Sequence, residues 1–194
     1  INLESTPENL IPIDLVGKVS GQGRARVANG GLAGLTSTLQ VQDLGVNDTL
    51  IGTGSVDAGF GSTGWSANAE FGYADRFLVL ENARFDPKQQ TVGGNLDVLN
   101  LSLGDLASAV QKAVPDASEN IKRLADTLEG AVTASVVVDG NVNDPSVSVD
   151  SFRAEQLQVA GKDAGSISAS ARRQNGVWTL GNTTWQSGPP RAVL

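Results

Sequence analysis

Three residue spacings in this chain could carry chemistry, and each has a physical requirement that can be checked against its neighbours. Gly59, Gly61 and Gly64 stand at the spacing of a dinucleotide-binding loop. Such a loop works by opening a helix whose N-terminal N–H groups hold a pyrophosphate. Here it opens Trp65-Ser66-Ala67-Asn68-Ala69, which alternates as a strand does, so in a chain with 23 Gly the spacing reads as chance. Asp139, Asn141 and Asn143 stand where the first three ligands of a calcium loop would, but Asp144 replaces the Gly at the sixth position and Asp150 the Glu at the twelfth. The sharp turn and the long bidentate ligand are both lost, leaving a turn between two strands. Ser108/Lys112 and Ser118/Lys122 lie one helical turn apart, the reach of a Ser–Lys dyad. A dyad needs a desolvated Lys, whereas these fall on the solvated faces of amphipathic stretches.

The inventory excludes more. With no His and no Cys, the usual transition-metal sites and the Ser-His or Cys-His nucleophiles are ruled out. Carboxylates such as Asp150 and Glu155 carry no spacing that marks them as a pair. The expectation is a protein that is not an enzyme, with no catalytic residue, cofactor or metal site. The net charge of −7, without a basic stripe, argues against nucleic acid and against docking on anionic lipid surfaces. Lipid tails are a different matter, because they are recognised by area burial. The absence of Cys leaves the redox compartment unread. No apolar run reaches the length of a membrane span and no signal peptide is visible. The chain starts Ile1-Asn2-Leu3 and holds no Met, which reads as a fragment of a larger protein with any anchor outside it.

What the residues do specify is alternation. From Val132 to Val142 every second position is Val, Ala or Gly, and the residues between (Thr133, Ser135, Asp139, Asn141) are polar except Val137. A period of two over eleven residues means a strand with one apolar and one wet face. The same grammar runs through 13–27, as one strand or two joined near Gly21-Gln22-Gly23, with a hairpin signal at Asn29-Gly30-Gly31. It continues through 35–41, 50–60, 65–73, 77–80, 82–85 and 90–99, then 131–143, 146–152, 156–159, 166–172 and 177–185. Apolar residues make up 40% of the chain but aromatics only 5%, so the apolar face is built from Val, Leu, Ile and Ala. Trp65, Trp178 and Trp185 read as core or edge anchors, or as contacts to lipid head groups at a groove mouth.

Between Asp105 and Glu129 the period changes. Leu106, Ala109, Val110, Ala113 and Val114 are spaced as on a helix, Pro115 interrupts, and Ile121, Leu124, Ala125 and Leu128 resume before Gly130 as a C-cap. The organisation is therefore strands over 1–104, an amphipathic helical insertion over 105–129, and strands of the same sheet over 130–194. A helix so divided is expected to lay its stripe on the apolar sheet as a cap.

Leu99-Asn100-Leu101-Ser102-Leu103 leads into a helical stretch, and Leu128-Glu129-Gly130-Ala131-Val132-Thr133-Ala134 opens a strand pair. The hinge Val138-Asp139-Gly140-Asn141-Val142-Asn143-Asp144-Pro145-Ser146-Val147 follows, then 154–161 and a strand ending Gly176-Val177-Trp178-Thr179-Leu180. On these features residues 95–181 resemble the TamB and AsmA-like family of envelope proteins. Residues 13–94 share only the strand style, and the helical pair is longer than an ordinary repeat of the family. The resemblance implies an all-β fold with a helical insertion, its long antiparallel-type sheet curved lengthwise into a hydrophobic trough of β-taco type. It implies a periplasmic segment in the envelope of a diderm bacterium, which binds or conducts phospholipid acyl chains between the two membranes with an outer-membrane β-barrel as protein partner. Val132, Val136, Val138, Val142, Val147, Val149 and Ile167 would line the trough. The competing expectation is a structural envelope module whose apolar face is closed as an ordinary core, without lipid transport.

Overall fold

Alternation of period two becomes ten long antiparallel strands in a computed structural model that describes residues 15–46, 49–104 and 127–187. They are β1 (Leu15–Ala28), β2 (Gly31–Val46), β3 (Thr49–Gly61), β4 (Gly64–Tyr73), β5 (Arg76–Asp86), β6 (Thr91–Ser102), β7 (Leu128–Asn141), β8 (Asp144–Val159), β9 (Lys162–Gln174) and β10 (Val177–Gln186). Each pairs with its neighbours in sequence, so one sheet runs from β1 at one edge to β10 at the other and stays open. The all-β reading holds.

Turn chemistry explains the meander. Asn29-Gly30, Ala160-Gly161 and Asn175-Gly176 all place two residues at positive φ, which suits the right-handed twist of the strands they join. Asp86 closes the β5–β6 connection by accepting the N–H groups of Lys88 (2.8 Å) and Gln89 (3.1 Å) with one carboxylate oxygen.

Alternation alone would not keep ten strands in phase, and the chain corrects itself with bulges. Asp43, Asn82, Asn100, Gln156 and Asn182 take φ between 46° and 55° inside strands. At each of them the register slips, as between Val41 and Leu44, Leu80 and Ala83, or Val98 and Leu101. One extra residue in the left-handed region returns the next apolar side chain to the face of the one before it. Several of these residues donate their N–H to a neighbouring strand's side chain: Asp43 to Thr53 Oγ1 (3.4 Å), Asn82 to Asn68 Oδ1 (2.7 Å), Asn100 to Thr133 Oγ1 (3.4 Å).

These bulges correct three expectations. Residues 77–80 and 82–85 belong to one strand, β5, and 146–152 and 156–159 to another, β8, because a phase slip absorbed by Asn82 or Gln156 looks in sequence like a break. Leu128 and Glu129, expected to end the helical insertion, pair with Val159 and Gln158 as the start of β7. Gly130, expected as a helix cap, sits at a register slip inside that strand, where Cβ would meet Glu155 O at 2.8 Å. The rest of the insertion, 105–126, lies outside the described residues, as do both Ser–Lys pairs.

Strands this closely laddered leave some positions no room for a side chain. A Cβ on Gly54 would run into the carbonyl oxygen of Glu70 and stand 2.7 Å from Phe71 Cδ1, whereas one on Gly61 meets nothing within 4 Å. Gly54→Ala is expected to destabilise the sheet by about 2 kcal/mol or more, lowering Tm by roughly 5–10 °C for a chain of this size. Gly61→Ala should stay within about 1 °C of the parent on the same scale. Thermal unfolding followed by circular dichroism checks both, and an unperturbed Gly54→Ala would contradict the β3–β4 register.

Candidate apolar binding face

Register decides which side chains share a face, and here it assembles an unbroken apolar row across the sheet. Directly paired residues run Gly21, Leu39, Val56, Ala69, Leu80, Leu96, Val136, Val149, Ala171 and Leu180, one from each strand. At about 4.8 Å per step the row is roughly 43 Å long. A parallel row runs Val19, Val41, Gly54, Phe71, Leu78, Val98, Ala134, Phe152 and Ala169. Neither row contains a charge. On the opposite face the matching row is Ser20, Gln40, Ser55, Glu70, Val79, Asp97, Ser135 and Ser151.

Both faces carry open depressions of similar size and opposite chemistry. On the apolar face one of about 460 Å³ extends from β3 to β7, where small Ala58, Ala67 and Ala83 leave space between Trp65, Leu80, Leu96 and Val136. Phe60 braces Trp65 with ring centroids 4.8 Å apart. On the polar face one of about 450 Å³ is lined by Arg24, Thr38, Asp57, Ser66 and Asn68. Thr38 Oγ1 donates to Asp57 Oδ1 there at 2.6 Å. Further along that face Arg84 reaches over Gly93 of β6 to bind Asp139 of β7 at 2.6 Å.

Burial shows how little covers the apolar face. Among the described residues, no side chain is fully buried, and the buried hydrophobics are Val41, Phe71, Leu103, Val132, Ala154 and Leu157. Four of these (Leu103, Val132, Ala154 and Leu157) gather where β6 ends and β7 begins, with Leu128, Phe152 and Ile167 packed around them. Elsewhere, the buried Val41 and Phe71 apart, the apolar rows are half-buried by their own neighbours from β2 to β9, and Leu180 on β10 is exposed.

The expected lining residues are mostly brought together. Val136 pairs with Val149 and Val138 with Val147, and Val132 reaches Ile167 through Ala154, which pairs with both. Val136 and Val138 also line the apolar depression. Val142 does not belong with them. Asn141 Oδ1 accepts the Asn143 N–H at 2.9 Å and closes the turn there, so Val142 lies beyond the end of β7 and gives its N–H to Gln90 O. The lining from β2 to β6, including Leu39, Leu80 and Leu96, was signalled by the same alternation but needed the bulges to be placed in one row.

The other singled-out residues fall in ordinary structural positions. Gly61 and Gly64 flank the β3–β4 turn, and Gly64 opens a strand. Asp139 holds Arg84, Asp150 accepts the Ser148 hydroxyl, and Glu155 pairs with Arg153 at 3.2 Å. Trp185 Nε1–H donates to Ala164 O at 2.7 Å, and Trp178 pairs with Arg173 at the rim. Arg173 is itself tied to Asp144 (2.8 Å) and Pro145 O (2.7 Å). Among the described residues no helix is long and apolar enough to cross a membrane. No family model, curated protein or solved structure matches the chain.

Filling the apolar depression should separate binding from folding. Ala67→Phe places a ring where the small residues leave space, so Tm should move by no more than about 3 °C while binding of an apolar fluorescent dye falls several-fold. Thr36→Phe, on β2 and in the polar depression only, should leave dye binding unchanged. Equal loss in both variants would mean that the dye reports general loosening instead of this face.

Proposed function

We propose that the apolar face seats the acyl chains of phospholipids. The observation that carries the reading is the charge-free row from Gly21 to Leu180, which spans the sheet and, among the described residues, has no second layer over most of its length. A chain of about 16 carbons in water is unfavourable by on the order of 10 kcal/mol at about 0.8 kcal/mol per methylene. A continuous apolar row relieves most of that without any specific contact, so it would take acyl chains with little regard to head group. Exposed apolar surface on this scale marks a binding surface in a protein that stays in solution.

Together with the resemblance carried by residues 95–181, this supports a periplasmic segment of a TamB/AsmA-like envelope protein. In that role the sheet curves into a trough along which phospholipid passes between the inner and outer membranes of a diderm bacterium, with an outer-membrane β-barrel as partner. The second reading, a structural module with a closed core, draws on the buried cluster of Leu103, Val132, Ala154 and Leu157. That cluster occupies one end of β6–β9.

Val136→Asp distinguishes the two readings, because Val136 lies in the long row and lines the depression. On an open face the carboxylate stays hydrated: the protein should fold with Tm lowered by about 5 °C or less, and retention of a labelled phospholipid should fall at least tenfold. In a closed core an unpaired carboxylate is unfavourable by several kcal/mol and should take the fold with it. Melting measured beside lipid retention reads both, and joint loss would favour the closed core.

A further inference from the structure

A third row on the apolar face lies next to the long one, toward the β3–β4, β5–β6 and β7–β8 turns. It runs Ala58, Ala67, Ala83, Gly94, Val138 and Val147, one from each strand from β3 to β8. Ala83 and Gly94 meet beside a register slip, where a Cβ on Gly94 would stand 3.0 Å from Ala83 Cα. From Ala58 to Val138 this row floors the apolar depression. Unlike the other two rows, it runs on to a charge. Val147 pairs with Arg173 of β9, and Arg173 with Trp178 of β10, so a cation stands on the apolar face in line with the depression. Its neighbour Arg172 pairs with Ser148 and Thr179 and belongs to the polar face. The Arg173 side chain is 24% exposed and is held by its bonds to Asp144 and Pro145 O. Those bonds leave further guanidinium N–H groups to donate. A planar fork fixed in this way needs little further ordering to bind an anion.

We propose that Arg173 binds the phosphate of a phospholipid whose acyl chain lies along this row. The proposal rests on the acyl-chain reading of the face and adds what holds the other end of the molecule. Charge complementarity favours a phosphate, because a guanidinium matches its geometry and binds it through paired, charge-assisted hydrogen bonds. Length agrees. From Arg173 back to Ala67 the strand-to-strand steps of about 4.8 Å add to roughly 24 Å. One acyl chain spans about half of a bilayer's ~30 Å hydrocarbon core, which leaves roughly 9 Å for the glycerol and phosphate. Trp178 stands beside Arg173, and an indole suits the level where tails give way to head groups. Because every glycerophospholipid carries the phosphate, the site accepts mixed head groups and discriminates against a lipid that lacks it.

The test loads the full chain with radiolabelled dipalmitoyl phosphatidylglycerol or with dipalmitoylglycerol, which has the same tails and no phosphate, and measures the lipid kept through gel filtration. The parent should keep the phospholipid about tenfold better than the diglyceride. Arg173→Gln should bring the phospholipid down to the diglyceride level and leave the diglyceride unchanged, while Arg172→Gln, the same change of charge on the polar face, should alter neither. Asp144→Asn separates binding from structure. It frees Arg173 from its ion pair, so phospholipid retention should hold or rise, whereas a pair that only ties the β7–β8 turn to β9 would make it lose retention as Arg173→Gln does. The parent's preference and the Asp144→Asn arm decide the matter even should Arg173→Gln fail to fold. Equal retention of the two lipids by the parent, parallel loss of both in Arg173→Gln, or loss of the phospholipid in Arg172→Gln or Asp144→Asn would overturn the anchor and leave the acyl-chain reading standing. A parent that keeps neither lipid would overturn that reading, and the anchor with it.

Discussion

A sheet with one apolar face survives only while every strand keeps its apolar residues on that face, because a slip of one residue turns the whole set toward water. Across ten strands of 10–16 residues, small irregularities of twist and length would accumulate into such slips. The chain absorbs them locally, with a left-handed residue at Asp43, Asn82, Asn100, Gln156 and Asn182 and glycines such as Gly17 and Gly130 at slips in β1 and β7. Asp and Asn tolerate this conformation better than other side chains. The continuity of the row from Gly21 to Leu180, and hence any binding along it, depends on these corrections.

The consequence for energetics is a sheet without a central core among the described residues. All the substantial contacts between its described strands join strands adjacent in sequence, so its stability is close to a sum of neighbour terms, as in solenoid proteins. A substitution should then be felt by its own strand and the two beside it. The exception is the end where β6 stops and β7 begins: Leu103 just past β6 packs with Val132 of β7 and with Ala154 and Leu157 of β8, Ile167 of β9 lies against them, and Val132 is only 3% exposed. That corner holds four of the six buried hydrophobics among the described residues, Val41 and Phe71 of the second row being the other two.

Much of this was legible in the sequence, and what was missed has a common cause. The period of two placed strands over nearly all the described residues, and Asn29-Gly30 marked its hairpin correctly. The paired positions Val136/Val149 and Val138/Val147 followed from clean alternation in β7 and β8. Alternation breaks at Glu81-Asn82 and Glu155-Gln156, and a break read as a strand end divided β5 and β8 in two. The sequence signal was present: an apolar residue, two polar ones with Asp, Asn or Gln second, then an apolar residue, as in Val41-Gln42-Asp43-Leu44 and Leu80-Glu81-Asn82-Ala83. Val142 was misplaced for a related reason, since a side-chain bond from Asn141 closes the turn one residue before the alternation stops. Leu128 and Glu129 fit a helical stripe by spacing, but pairing with β8 overrode it.

The functional account rests on one physical claim, that a ten-strand apolar row stands uncovered in the native protein and is relieved by acyl chains. Its most direct test is to purify the chain without detergent from a diderm host and weigh the intact protein by native mass spectrometry, with solvent extraction of the same sample. The account predicts phospholipid at about one molecule or more per chain, of mixed head group, and lost on denaturation. A chain that arrives lipid-free, and takes up none from phospholipid vesicles, would contradict it.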